Sequence, residues 1–215
     1  MNTSQKPVVI AFDGTAASGK GSIAKLVAKR CGYEYLDTGL MFRKVACYCI
    51  KQSIDFNNVK EVLKVIRATD FGSNISNIDE GEIYSNIVSD VASQIAIEAD
   101  VRKELLKVQR KFADNKKGIV VDGRDIGTVV FPNADFKFFF DASLEERAVR
   151  RYNQLRKRGK EVMFSQVFEY LKVRDKRDKD RYIAPLKKAK GSFEIDTTNS
   201  SISEVLDIVL KKIKE

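Results

Sequence analysis

The stretch Val8-Val9-Ile10-Ala11-Phe12-Asp13-Gly14-Thr15-Ala16-Ala17-Ser18-Gly19-Lys20-Gly21-Ser22 decides the fold. Its first half is an apolar run of strand length. Its second half is a phosphate-cradling signature: a glycine, four residues, then Gly-Lys. Glycine adopts backbone conformations that other residues resist, and it lets amide groups approach phosphate oxygens closely. Ile23, Leu26, Val27 and Cys31 then recur at helical spacing, and Gly32 stops the helix. The start of that helix adds free N–H groups and a positive dipole end. In such loops the lysine, here Lys20, reaches the outer phosphates and a nearby hydroxyl holds Mg²⁺. In the general pattern that hydroxyl follows the lysine directly. Here position 21 is Gly and the hydroxyl comes at Ser22. Gly14, Thr15, Ala16, Ala17, Ser18, Gly19, Lys20, Gly21 and Ser22 are therefore expected to bind nucleotide phosphates. A glycine-rich turn without a ligand is the alternative. The strand before the loop, the helix after it and the lysine all speak against it.

Outward from the loop the chain alternates. Tyr33 to Asp37 reads as a short strand. Phe42, Val45, Ala46 and Cys49 then recur at i, i+3, i+4 and i+7, so a helix follows Gly39. Ile119-Val120-Val121 is an apolar run ending in Asp122-Gly123, and Phe136 to Phe140 is another, ending at Asp141. Ser143-Leu144-Glu145-Glu146 and Ser201-Ile202-Ser203-Glu204 read as capping boxes, each opening a helix. Phe193 to Asp196 reads as a last strand. Apolar strands separated by helices predict an α/β fold with a parallel sheet covered on both faces. Ligands bind such sheets at the carboxyl ends of the strands. The glycine loop, Asp37-Thr38, Asp122 to Asp125 and Asp141 all fall there. Two stretches interrupt the alternation. Residues 55–112 are helical in pattern around a polar middle with Asn74, Asn77, Asp79 and Glu80, and read as an inserted subdomain. Residues 149–182 are dense in charge around Gly159, a composition that suits a mobile helical lid. The expected core is thus 1–54, 113–148 and 183–215.

With 215 residues the chain buries a sizeable core without disulfides. It contains no histidine, which excludes Ser-His-Asp and Cys-His catalysis and the common zinc sites. The three cysteines, Cys31, Cys47 and Cys49, have no paired spacing and fit a reduced cytoplasmic protein. Cys47 and Cys49 lie two apart on a helix, point to different faces and read as small buried residues. The net charge of +9, from 39 basic and 30 acidic residues, suits anionic partners. No apolar run reaches membrane-spanning length, and the first seven residues lack the apolar core of a signal peptide.

Three constellations carry chemistry. Arg174, Arg177, Asp178 and Arg181 fall at i, i+3, i+4 and i+7, so on a helix they form one stripe. A solvated face laced with pairs such as Arg174–Asp178 is the bland alternative. In a small phosphate-binding protein the stripe reads instead as an anion site, because arginine is a rigid, always-charged fork matched to phosphate. The second is Asp122-Gly123-Arg124-Asp125-Ile126-Gly127-Thr128, at the ligand edge of the sheet. There Asp122 is placed to influence Mg²⁺ or its waters, Arg124 to bind phosphate and Asp125 to accept hydrogen bonds; a tight polar turn is the alternative. The third is Asp37-Thr38-Gly39-Leu40-Met41-Phe42-Arg43, where Thr38 caps a helix and Arg43 lies in its first turns.

The glycine loop, Asp37 to Arg43, Asp122-Gly123-Arg124-Asp125-Ile126-Gly127 through Pro132, and Arg174-Asp175-Lys176-Arg177-Asp178 through Leu186 resemble the bacterial cytidylate kinase family, in that family's order. The segment from Val91 through Arg102 to Arg110 resembles its insert. The resemblance runs from about residue 8 to 210. It implies a P-loop kinase fold: a parallel five-stranded sheet flanked by helices, with a monophosphate-binding insert at 55–112 and a lid at 149–182. It implies a kinase that transfers phosphate from ATP to CMP or dCMP with Mg²⁺, in the cytoplasm, as a monomer with no nucleic-acid or membrane partner. By motif position it places Ser93, Arg102, Asp125 and Arg181 near cytosine and Asp178 near the ribose. Thr38, Arg43 and Arg124 fall near the acceptor phosphate, and Arg174 near the transferring one. Lys20, Arg174, Arg124 and Arg181 are then the catalytic set, Arg158 a further ATP ligand, and Ser22 and Asp122 the metal residues. Arg147 and Arg151 are additional lid candidates. The chain departs from the family at Thr15, usually proline; at Ala17, commonly glycine; at Phe42, frequently tyrosine; and at Asp100, often proline.

Cytosine offers an N4 amino donor and acceptors at N3 and O2. An aspartate accepts from N4, whereas uracil would face it with a second acceptor. An unpaired buried acceptor costs on the order of 1–3 kcal/mol, which favours cytosine. The acceptor phosphate is already an anion near neutral pH, so no general base is required, in keeping with the absence of histidine. Other readings fit less well. A guanine-reading switch motif is approached at Asn115-Lys116-Lys117-Gly118, which lacks its aspartate. A nucleic-acid platform would interleave aromatics with basic residues, but Phe136 to Phe140 lie in a buried strand. A kinase for another nucleotide or small metabolite is separated by its acceptor range.

Overall fold

The computed structural model describes residues 6–69 and 80–215. Asn74, Asn77 and Asp79, read as the polar middle of the insert, lie outside the described residues. The chain resolves into two compact units, residues 1–36 with 115–215, and residues 37–114.

The first unit is built on a five-stranded sheet in the order β2-β3-β1-β4-β5. The strands are β1 (Val8–Gly14), β2 (Glu34–Asp37), β3 (Gly118–Gly123), β4 (Phe136–Asp141) and β5 (Phe193–Asp196). The central strand β1 pairs parallel with β3, Val8 opposite Gly118, and with β4, Ile10 opposite Phe136; β4 pairs parallel with β5. Helices α1 (Lys20–Cys31), α7 (Leu144–Lys157), α8 (Phe164–Asp180) and α9 (Ile202–Lys214) complete the unit. The apolar runs form strands because both faces are covered. Ile10, Phe12, Phe138 and Phe140 are buried against Ile23, Val27, Val205 and Val209 of α1 and α9. Phe12 stacks on Phe140 at 5.1 Å between ring centres. Truncating such a fully buried ring costs about 3–5 kcal/mol, so this layer anchors the strand ends that carry the polar groups.

The second unit carries α2 (Thr38–Lys51), α3 (Val59–Ala68), α4 (Glu80–Ile83), α5 (Asn86–Ile95) and α6 (Ala99–Lys111). It therefore takes in α2, which the expected insert of 55–112 left to the core. Among the described residues no helix is long and apolar enough to cross a membrane.

Two helix starts differ from expectation. α2 is capped by Asp37, whose carboxylate accepts from Leu40 N at 2.9 Å, and Thr38 is its first helical residue. At α7 only half of the box forms: Ser143 Oγ accepts from Glu146 N at 3.2 Å, while Glu146 turns outward to accept from Arg150 Nε at 2.8 Å. A charged partner one turn on outcompetes the neutral backbone N–H. At α9 both halves form.

Candidate active site

The glycine loop leaves β1 through Gly14, at φ 151°, where a Cβ would lie 2.0 Å from the Phe140 carbonyl oxygen. Glycine alone lets the chain turn off the sheet there. Thr15 donates its N–H to Phe140 O at 3.2 Å and its hydroxyl to Asp141 Oδ1 at 2.7 Å. A proline at position 15, with neither N–H nor hydroxyl, could make neither bond. Ala17 sits at φ 61° and Gly19, the cap of α1, at φ 83°. Ser18 Oγ and Lys20 Nζ both donate to Thr15 O, at 3.0 and 3.1 Å, which folds the lysine back over the loop. Lys20 Nζ also lies 3.7 Å from Asp122 Oδ1. Tyr35 OH donates to Asp122 Oδ2 at 3.3 Å.

This geometry explains the glycine at position 21. A Cβ there would lie 2.8 Å from Asp122 Oδ2. The carboxylate occupies the space that a serine or threonine fills in the general pattern, and the hydroxyl moves on to exposed Ser22. A hydroxyl and a carboxylate are the oxygen donors that a hard divalent cation takes, so the residues present fit Mg²⁺. Among the described residues no cluster of three or more His, Cys, Asp or Glu side chains could hold a metal.

Beyond Asp122, the end of β3 meets α8. Arg124 Nε donates to Asp178 Oδ2 at 2.9 Å, and Arg174 Nε approaches the same oxygen at 3.9 Å. Arg181, 5% exposed in its side chain, has Nη2 3.8 Å from Asp125 Oδ1 and donates Nε to Ala184 O at 2.6 Å. Burial pushes the Asp178 carboxyl up, yet Arg124, Arg174 and Arg181 outweigh it and hold the group below the ordinary value of 3.8. Burial likewise opposes the Arg124 charge, but Asp178 prevails and raises its pKa. The stripe is thus a partly buried array of arginines centred on one carboxylate, not a solvated face. Arg158 lies half-buried at the C-cap of α7, in the turn before Gly159. Arg147, 5% exposed, donates to Ala142 O and Ala16 O and pairs with Asp175. Protein oxygens engage it, so it ties the loop to α8 instead of serving a ligand.

In the second unit, Arg43 donates Nε to Ser89 Oγ at 3.4 Å and its guanidinium lies 5.4 Å from the Tyr84 ring centre. Thr38 is buried. Arg102 donates to Ala96 O at 3.0 Å and stacks 5.6 Å from the Phe42 ring, so an aspartate at position 100 leaves its guanidinium anchored. The Ser93 hydroxyl is buried and has no hydrogen-bond partner among the described residues. A native buried hydroxyl in that state calls for an explanation, and a bound molecule supplies one.

Two residues escaped the sequence reading. Asp13, 3% exposed, accepts from Ile126 N and Gly127 N, both at 2.7 Å. Burial pushes its carboxyl up to about 7. An acid closing an apolar strand run was the available signal, since a buried carboxylate demands partners. Tyr35 gave no signal, because alternation along β2 accounts for it.

The model of the cytidylate kinase family matches residues 10–215. A cytidylate kinase of Fusobacterium nucleatum is 39% identical over 97% of this chain and 98% of its own. One of Thermosipho melanesiensis is 45% identical over 97% of this chain and 98% of its own. Among solved structures, an uncharacterised protein of Eubacterium ventriosum superposes with a TM-score of 0.54 at 14% identity, over 97% of this chain and 99% of that one, a likeness of fold alone.

Proposed function

Since the chain belongs to the cytidylate kinase family, we propose that it transfers the γ-phosphoryl group of ATP to CMP or dCMP through the residues assembled at the end of β3. One observation carries the residue assignment. Within four residues, β3 and its exit place Asp122 beside the loop lysine, Arg124 on Asp178 and Asp125 beside Arg181. Donor-phosphate chemistry and acceptor chemistry thereby share one rigid strand end.

Gly14 to Ser22 bind the ATP phosphates, with Lys20 directed to the outer ones and Arg158 as a further ATP ligand. Mg²⁺ supplies charge neutralisation on the donor phosphates when bound, and Ser22 and Asp122 are the residues to hold it. Arg124 and Arg174, aimed by Asp178, neutralise charge on the acceptor and transferring phosphates. Thr38 and Arg43 bind the acceptor phosphate. Asp178 accepts from the ribose. Asp125 accepts from the cytosine N4 amino group, with Arg181, Ser93 and Arg102 as donors to the base; the unpartnered Ser93 hydroxyl supports that role. None of these groups needs to give or take a proton, so catalysis consists of positioning and charge stabilisation. Folding of residues 149–182 over the nucleotides excludes water. We place the enzyme in the cytoplasm, as a monomer acting on free nucleotides.

A coupled assay of ATP with CMP, dCMP, UMP and AMP tests the reading. CMP and dCMP are expected to be turned over well ahead of UMP, and AMP not at all. A preference for AMP or UMP refutes the assignment of Asp125.

A further inference from the structure

Asp125 is the N-cap of a five-residue π-helical turn, Ile126–Val130, at φ −141° and ψ 25°, and its side chain makes no capping bond. An aspartate in that position ordinarily turns its carboxylate onto the N–H of the second or third helical residue, here Gly127 or Thr128. The first of these donors, with the Ile126 N–H before it, is taken by another strand. Both oxygens of Asp13, at the end of β1, accept the N–H groups of Ile126 and Gly127 at 2.7 Å. Asp125's own carboxylate lies instead 3.8 Å from Arg181.

We propose that Asp13 is a positioning residue for base selection: by capping the π-turn in place of Asp125, it keeps the Asp125 carboxylate on Arg181 and on the acceptor base. The inference rests on the cytosine role of Asp125 given above. The two N–H groups immediately follow Asp125, so fixing them fixes its backbone and the direction of its Cβ. Gly127 is closely packed on the other side. A Cβ there would meet Ala189 Cβ at 3.2 Å, Lys137 Cδ at 3.3 Å and Asp13 Oδ2 at 3.4 Å. The turn therefore has little room to settle elsewhere without losing one of the two bonds. A carboxylate is the side chain that accepts both. An asparagine of the same shape turns an N–H toward one of the donors. With a donor left over, the shortest remedy is for Asp125 to swing back and cap its own turn, leaving Arg181 and the base.

The test measures kcat and KM for CMP, UMP and ATP in Asp13→Asn, Asp125→Asn and the double variant. Asp13→Asn is expected to lower the CMP:UMP ratio of kcat/KM about tenfold, within the range set by one unpaired buried polar group. The KM for ATP should stay within about twofold, since uniform binding of the donor is untouched. In the Asp125→Asn background, Asp13→Asn should change the ratio no further, because both act through one carboxylate. A purely structural Asp13 would slow CMP and UMP equally. An unchanged ratio in Asp13→Asn, alongside a lowered ratio in Asp125→Asn, overturns the proposal. An unchanged ratio in Asp125→Asn refutes the cytosine reading instead. Amide exchange in the unaltered protein decides the clamp by itself, also where Asp13→Asn folds poorly. Ile126 and Gly127 should be protected as strongly as strand amides of β3, and fast exchange at either overturns it.

Discussion

Restoring the more general loop motif at position 21 should harm this protein. A Cβ on Gly21 would lie 2.8 Å from Asp122 Oδ2 and 3.7 Å from Tyr35 OH. The second contact is ordinary; the first demands a shift of about half an ångström, and overpacking of this kind costs about 1–3 kcal/mol. Asp122 does not yield freely, because it is buried and held by Tyr35 and Lys20. Replacing a glycine in a helix by alanine gains at most about 1 kcal/mol, and less near the helix start. The steric cost wins, so Gly21→Ala should destabilise by about 1 kcal/mol and lower the melting temperature by about 2–4 °C. Turnover should fall more steeply, about tenfold to a hundredfold, because the displaced carboxylate is the one beside the loop lysine. Gly21→Ser should behave alike despite matching the general motif. The decisive comparison is the same change in an Asp122→Ala background. There the clashing atoms are gone, and Gly21→Ala should be neutral or stabilising by a few tenths of a kcal/mol, a reversal of sign. Thermal melts and a coupled ADP-release assay on the four proteins measure it. A stabilising Gly21→Ala in the unaltered background, or the same sign in both, refutes the reasoning.

Lys20→Ala should cut kcat by about a hundredfold or more, as loss of a preorganised charge in a phosphoryl-transfer site does, and Arg181→Ala should cut turnover of CMP strongly because the base loses a donor and Asp125 its partner; near-normal turnover in either sinks that residue's role. Ala17 holds φ 61°, a conformation that costs an L-residue about 1–2 kcal/mol. After the extra entropy glycine loses on folding, Ala17→Gly should still raise the urea midpoint slightly, and a lowered midpoint would argue that the loop is unstrained there. Asp178 is held below 3.8 in the folded protein, so its contribution is present above about pH 4 and lost as the pH falls through its lower folded value. Asp178→Asn should accordingly be less stable at pH 6 and flatter in stability from pH 5 to 3 than the unaltered protein; parallel curves would show that Asp178 carries no such linkage.

The parts of the fold legible in the sequence are those fixed by neighbours in the chain. Apolar runs marked β1, β3 and β4, because a buried strand needs no alternation, whereas β5 showed as the alternating Phe193-Glu194-Ile195-Asp196. Helical spacing found the Arg174–Arg181 stripe before any partner was known. What the sequence hid is pairing over distance. Asp178 bonds Arg124, 54 positions away, and Asp13 bonds Ile126, 113 positions away. The π-turn was hidden for the same reason: Ile126-Gly127-Thr128-Val129-Val130 has strand-like composition, and only a cap from β1 gives it another shape. Local competition misled the reading at Thr38, where Asp37 offers the stronger acceptor, and at Ser143, where Arg150 draws Glu146 away.

The end of β3 also explains why the loop departs from the commoner pattern. In this chain the carboxylate beside the lysine belongs to a strand whose next residues pair with Asp178 and Arg181, the groups proposed for the acceptor side. Crowding Asp122 from position 21, loosening Asp125 through Asp13, or removing Asp178 from Arg124 all perturb one rigid segment four residues long. Effects of residues that act as a unit are not additive. Pairs drawn from Gly21, Asp13 and Asp178 variants should therefore lose less activity together than the sum of their separate losses, whereas pairing any of them with Ala17→Gly should be additive. Independent losses across the first set would mean that the lysine side and the arginine side of β3 work as two separate sites.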